Sequence, residues 1–229
     1  MHKIIGITGS NGTIGVVLKK GLTQYNIKSI DLPKVDVTNY EQLLAALANF
    51  DIVIHLAWNS KIENFRDNNR SPDNSQMAYN IYKASKEAGV KRVVMASSIH
   101  ADSFYGWETP PLLSVEHPPI PDSVYGAEKL GIEALGKFYA KQGLEVVMLR
   151  IGGINPKNVP PIPGDHPEER KAWLSHNDIV SLVRLIINAN EIPNNYTTMY
   201  VVSNNEGKIH DTSNIFNWKP KDNADDFNT

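Results

Sequence analysis

Tyr125 and Lys129, in the run VYGAEK, stand four residues apart, so on a helix both side chains project from one face. A phenol is too weak an acid to exchange protons near neutral pH. An adjacent ammonium favours the phenolate, and tyrosine then serves as a general base toward a substrate hydroxyl. Ser98, closing the run RVVMASS, supplies a hydroxyl that holds the reacting oxygen beside Tyr125. A second group lies nearer the N-terminus, where Gly9, Gly12 and Gly15 recur at three-residue intervals in TGSNGTIG. In such a turn one glycine permits the reversal, one lets backbone approach a pyrophosphate, and one allows close packing of helix on strand. Asp31, 22 residues after Gly9, is placed to accept hydrogen bonds from adenosine ribose hydroxyls. The same carboxylate would repel a 2′-phosphate, so NAD is favoured over NADP.

These residues need a scaffold, and the apolar pattern provides one. Lys3 to Thr8, Ile27 to Asp31, Asp51 to Leu56, Arg92 to Ser97, Glu145 to Ile151 and Met199 to Ser203 read as strands, with a minimal strand at Val35 to Val37. Between them Thr13 to Tyr25, Tyr40 to Phe50, Asn74 to Ala88, Tyr125 to Lys141 and Asn177 to Ala189 read as helices. Alternating strands and helices predict an α/β fold, a Rossmann-type doubly wound parallel sheet in a single domain over 1–229. Two proline-rich loops, 100–123 and 152–172, follow strand carboxyl ends, where the ligand crevice of an open α/β sheet lies. They are expected to cover a substrate, and a polar tail is expected after Lys219.

Composition narrows the partners. The 229 residues are 41% hydrophobic and 21% charged, with a formal net charge of -2, which leaves no general basic field for nucleic acid or an anionic membrane. Cysteine is absent, so disulfides and thiolate catalysis are excluded. No export signal or apolar span is read, and the expectation is a cytoplasmic protein that acts on a small molecule and binds no metal.

With these motifs in place, the chain resembles the extended short-chain dehydrogenase/reductases, the NAD-dependent epimerase/dehydratase family. TGSNGTIG, HLA at His55 to Ala57, SS at Ser97 to Ser98 and YGAEK carry the resemblance. It is similar in particular to the uronate dehydrogenase-like group through ASSIH, LRIG, WLSHND, VVSNN and KPKDNADDF, and the NAD-linked glucose-6-phosphate dehydrogenases of halophilic archaea look alike in the same segments. The resemblance implies hydride transfer from C1 of a hexuronate or related small sugar to NAD, giving a lactone. Tyr125 would be the base, with Lys129 lowering its pKa and Ser98 polarising the hydroxyl. It also implies cofactor contacts from Gly9, Asn11, Gly12, Thr13, Ile14 and Gly15 in the turn, and from Asp31, Asp36 and Val37 after the second strand. Leu56, Ala57, Asn74, Ser97 and Ile151 would complete the cofactor set, with Tyr125 and Lys129. For the sugar it implies Ser60, Ser98, Ile99, His100, Tyr125, Gly153 and Arg170. A homodimer through the helices at 74–88 and 125–141 is implied as well.

Three departures leave the substrate open. Ile99 stands where the group has Asn, Gly153 where it has Ser, and the arginine for a substrate carboxylate is not at the expected spacing, leaving Arg170, Lys171 or Lys157 as replacements. A nucleotide-sugar epimerase or dehydratase and a non-catalytic dinucleotide sensor remain as alternatives. His55 reads as a locally bonded strand-end residue, Tyr79, Tyr82 and Trp58 as packing groups, and Arg66 and Arg70 as solvated loop charges. Asn177 or Asp178 reads as a helix cap.

Overall fold

The computed structural model describes residues 3–59, 70–164 and 167–227. Six strands, β1 (Ile4–Thr8), β2 (Asn26–Ser29), β3 (Ile52–His55), β4 (Arg92–Ser98), β5 (Glu145–Ile151) and β6 (Tyr196–Val201), form one sheet in the order β2-β1-β3-β4-β5-β6. Every pairing is parallel. Each crossover carries a helix: α1 (Thr13–Gly21), α2 (Tyr40–Leu47), α3 (Pro72–Glu87), α4 (Val124–Ala140) and α6 (His176–Asn188), with the short α5 (Pro167–Lys171) just ahead of α6. This is the doubly wound fold that the alternation predicts.

Strand side chains alternate between two apolar layers, as the period of two requires. Ile5, Ile7, Ile52, Ile54, Val147 and Leu149 pack with α1 and α6 through Leu18, Leu182 and Ile186. Val53, Val93, Met95, Val146 and Met148 pack on the other face with α2, α3 and α4 through Leu43, Ile81 and Ile132. Burial on both faces explains why the strands read as nearly continuous apolar runs. A third cluster, with Ile99, Phe104, Leu113, Tyr200 and Ile209, anchors the first long loop over the carboxyl end of the sheet.

Helix starts follow local capping chemistry. Asn39, Ser123 and Ser175 accept hydrogen bonds through their side chains from the amides of Gln42, Gly126 and Asp178. Thus Ser175, not Asn177 or Asp178, caps α6. The Val35 to Val37 strand does not form. Its backbone is taken into a turn in which the Asp31 carbonyl accepts from the amides of Lys34 and Val35, and the Asp36 carboxylate accepts from the amide and hydroxyl of Thr38. α1 stops at Gly21, and Tyr25 is already in a turn bonded to the Leu22 carbonyl. β6 begins at Tyr196, immediately after Asn194 and Asn195, both of positive φ.

The tail after Lys219 is docked rather than trailing. Buried Asp178 accepts from the amides of Lys221 and Asp222 at 2.9 and 3.1 Å and from the Ser203 hydroxyl. Trp218 donates to Ser181, and Ala224 is buried. Its polar composition concealed this, because the tail is held through backbone groups. Among the described residues no helix is long and apolar enough to cross a membrane.

Candidate active site

The glycine turn joins β1 to α1. Gly9 has φ of +66°, and a Cβ there would lie 2.6 Å from the Ala57 amide nitrogen, so both conformation and space demand glycine. At Gly15 a Cβ would lie 2.5 Å from the Gly9 carbonyl oxygen, closing off the packing of α1 on the turn to any larger residue. At Gly12 the same test meets only the Gly9 carbonyl, at 3.3 Å, and the residue lines the cavity. α1 begins at Thr13 with Gly12 as its cap and no side-chain capping bond, so first-turn amides are available to an anion.

Asp31 lies two residues past the end of β2 and is tied to the turn. Its carboxylate accepts from the amides of Gly9 at 2.5 Å and Ser10 at 2.9 Å, and it lines the same cavity. One residue thus braces the glycine turn and faces the place where an adenosine ribose would lie. Hydrogen bonds to a charged group are worth about 1.5–3 kcal/mol each. Asp31→Ala is therefore expected to weaken NAD binding at least about tenfold and to narrow the preference over NADP, measured as the two dissociation constants by fluorescence titration. Unchanged constants would remove Asp31 from the cofactor site.

From the turn a cavity of about 1410 Å³ runs across the carboxyl ends of the strands to the two long loops. Each residue assigned to the cofactor lines it: Gly9, Asn11, Gly12, Thr13, Ile14, Gly15, Asp31, Asp36, Val37, Leu56, Ala57, Asn74, Ser97, Tyr125, Lys129 and Ile151. Ser98, Ile99, His100 and Gly153 line its far end. Length, open glycine backbone and a carboxylate beyond the second strand together fit an extended dinucleotide.

Ser98, Tyr125 and Lys129 converge where β4 ends and α4 begins. Burial raises the pKa of the Tyr125 phenol, a hydrogen bond from Ser98 draws it back down, and the Asp122 carboxylate raises it again. Lys129 is 3% exposed and donates from Nζ to the Ala96 carbonyl at 2.8 Å. That nitrogen stands 3.5 Å from the centroid of the Trp58 ring and 5.6 Å from that of Tyr125. Burial lowers its pKa to about 7, against smaller opposing contributions from Glu128 and Glu133. The spacing alone predicts that Lys129 favours the phenolate. In the structure a hydrogen bond from Ser98 also favours it, and the Lys129 nitrogen is held over the Trp58 ring.

The sequence profile of the NAD dependent epimerase/dehydratase family matches residues 5–155. The chain belongs to that family. Its relatives include an L-arabinose 1-dehydrogenase (NAD(P)(+)) of Haloferax volcanii, 30% identical over 96% of this chain and 97% of that one. Among solved structures, the uronate dehydrogenase of Agrobacterium tumefaciens superposes with a TM-score of 0.79, at 26% identity over 98% of this chain and 86% of that one. The UDP-N-acetylglucosamine 4-epimerase of Bacillus cereus superposes less well, with a TM-score of 0.67 at 25% identity over 88% of this chain and 78% of that one.

Within this family member, other expected sugar contacts fall differently. Ser60, expected at the sugar, and Arg66, read as a loop charge, lie outside the described residues. Arg170 does not line the cavity. Its guanidinium donates to the Asp225 carboxylate at 2.9 and 2.6 Å and to the carbonyls of Ala224 and Pro161, so it is spent on joining the second loop to the docked tail. Lys171 lies against Gly207, and it is Glu169 that reaches the cavity wall. Arg170→Ala is expected to lower stability by about 1–3 kcal/mol and to speed proteolysis of the tail, by denaturant titration and limited digestion. Loss of sugar binding at unchanged stability would return Arg170 to the substrate site.

Several groups at the site escaped the sequence reading. Trp58, read from the sequence as a packing group, contacts Lys129 and stands edge-on to Tyr125 at a centroid separation of 6.0 Å, a place at the reacting centre that the reading did not give it. The one available signal was its position, just past a strand carboxyl end. The His100 ring and the Asp122 carboxylate are 2.7 Å apart, a pairing across 22 residues that no local pattern announces. Glu133 accepts from the Ser97 hydroxyl at 2.6 Å and from two nitrogens of Arg150, which fixes the end of β4. His55 is a buried structural residue. Thr8 Oγ1 accepts from the amides of Leu56 and Ala57 and lies 2.7 Å from His55 Nδ1, while burial pushes the imidazole pKa down to about 3. Arg70 pairs with Glu128 at 3.0 Å.

Proposed function

We propose that the chain is an NAD-dependent dehydrogenase that oxidises a small free sugar at C1 to its lactone. The observation that carries this reading is that Ser98, Tyr125 and Lys129 meet at one end of a cavity whose other end is the glycine turn and Asp31. The glycine turn binds the pyrophosphate through α1 amides and Asp31 takes the adenosine ribose. NAD, bound there, supplies the hydride acceptor.

The sugar enters beneath the loop at 100–123. Ser98 orients the C1 hydroxyl toward Tyr125, and Tyr125 takes its proton as the C1 hydrogen leaves with its electron pair. The C1–O bond becomes a carbonyl, the ring is a lactone, and the proton rests on Tyr125 until solvent receives it. Trp58 and Phe104 exclude water from one side of the reacting centre. A homodimer is part of the proposal, and Tyr79 on α3 and Phe138 on α4 are exposed apolar surface on the two helices that would pair.

A nucleotide-sugar epimerase with the same residues is the second reading. The closer superposition on a uronate dehydrogenase than on an epimerase supports the first. The test is the absorbance of NADH when protein and NAD are mixed with galacturonate, glucuronate, glucose 6-phosphate and unphosphorylated aldoses. Net NADH formation is expected. No NADH from any sugar would overturn the dehydrogenase.

A further inference from the structure

We infer that the substrate is a neutral aldose rather than a uronate or a sugar phosphate, and that Glu169 is a specificity-determining residue that excludes the anions. The inference rests on the dehydrogenase reading for its location and on the charges of the cavity for its content.

Beyond the reacting centre, the cavity wall is built from β4–α4 and from the loop that contains α5. The charged residues it presents among the described positions are Glu128 and Glu169, with Lys129 at the reacting centre itself and Asp31, Asp36 and Asp73 lining it as well. Glu128 is engaged by Arg70. Glu169 is exposed and has no ion pair among the described residues. Tyr105, also on the wall, senses the same field: besides burial, the carboxylates of Glu169, Asp122 and Glu168 each hold its phenol up.

Among the described residues Lys129 is the one Lys or Arg that lines the cavity, and Arg170, Lys171 and Lys157 do not. Arg170, next to Glu169, is turned to Asp225 and the tail. Lys171 lies along Gly207. Arg150, on β5, is buried, paired with Glu133 and bonded to Tyr200. A carboxylate or phosphate on the sugar would meet the like charge of Glu169, a repulsion that solvent moderates at this exposed residue but that no Lys or Arg lining this end of the cavity offsets among the described residues. Sugar hydroxyls are hydrogen-bond donors that carboxylates accept well, and His100 and Asn155 on the same wall complete a polar rim.

The test compares two classes of sugar in two assays. In turnover, kcat/KM with NAD is measured for L-arabinose, D-xylose, D-galactose and D-glucose against galacturonate, glucuronate and glucose 6-phosphate. In binding, the same sugars are titrated calorimetrically into NAD-loaded Tyr125→Phe protein, which removes any need for reaction. At least a tenfold preference for the best neutral sugar is expected in both assays, and Glu169→Gln is expected to narrow it at least threefold by improving the anions. Preference for a uronate or for the phosphate would overturn the inference, as would a ratio unmoved in Glu169→Gln. Binding of neutral sugars without turnover in the unmutated protein would overturn the dehydrogenase and leave the charge selectivity standing. Binding of no sugar of either class would overturn both.

Discussion

Replacing Tyr125 with Phe is expected to lower kcat for sugar oxidation about 10²–10⁴-fold, the range for loss of a positioned acid–base group, with a much smaller change in KM. The hydroxyl being removed is the group proposed to receive the substrate proton. Phe keeps the ring against Trp58 and His100, whose centroids each lie 6.0 Å from that of Tyr125, so the cavity keeps its shape. The pH dependence follows from the same geometry. Burial and Asp122 raise the phenol, while Ser98 lowers it. The reactive phenolate is therefore scarce at neutral pH in the unliganded site, and kcat should climb as pH rises through the range below the phenol's pKa. Ser98→Ala removes a hydrogen bond that favours the phenolate, and should displace that climb to higher pH. The check is kcat against pH for the three proteins. A Tyr125→Phe enzyme within tenfold of the unmutated one would show that another group takes the proton.

How much of this could be read from the chain depended on whether the information was local. The glycine turn was legible because its three glycines answer three short-range demands, and two of these, the positive φ at Gly9 and the close approach at Gly15, are visible in the backbone. The Tyr125–Lys129 pair was legible because helical spacing places both side chains by itself. β5 was readable to the residue, since it is buried on both faces over its whole length. The pairing of His100 with Asp122, the bracing of the turn by Asp31 and the capture of Arg170 by Asp225 each join segments that no short window contains. The same is true of the tail, read only as polar, whose backbone is held by Asp178, some forty residues earlier. Position relative to the strand ends was a better guide to the cavity wall than residue type. Residues of both long loops line that wall, yet position gave no way to tell Glu169 from Arg170, neighbours on one short helix that face different surroundings.

Substituting Lys129 with Met is expected to stabilise the cofactor-free protein near neutral pH while impairing turnover. In the unfolded chain this lysine holds its proton to about 10.5, and in the folded chain burial lets it go near 7. Below pH 7 both states are protonated, and the folded state bears the full cost of a buried ammonium. Between 7 and 10.5 the unfolded state binds one proton more, so stability rises with pH across that window. At about 1.4 kcal/mol per tenfold change in proton affinity, the whole rise is roughly 5 kcal/mol. Part of this is set against the hydrogen bond to Ala96 and the contact with the Trp58 ring, so a net gain of about 1–4 kcal/mol is expected for Lys129→Met at pH 6–7. His55 and His210, both with pKa values pushed down to about 3 by burial, act in a separate window below 6.5. Lys3, also lowered, is common to both proteins and drops out of their difference. Urea midpoints of the two proteins from pH 6 to 9.5, without NAD, therefore isolate this one group. Their separation should shrink steadily as pH rises, while the variant loses at least tenfold in kcat through removal of the ammonium nearest the phenol. A separation constant in pH would mean that Lys129 keeps its proton in the folded protein, and that the ammonium stands ready beside Tyr125 before any cofactor arrives.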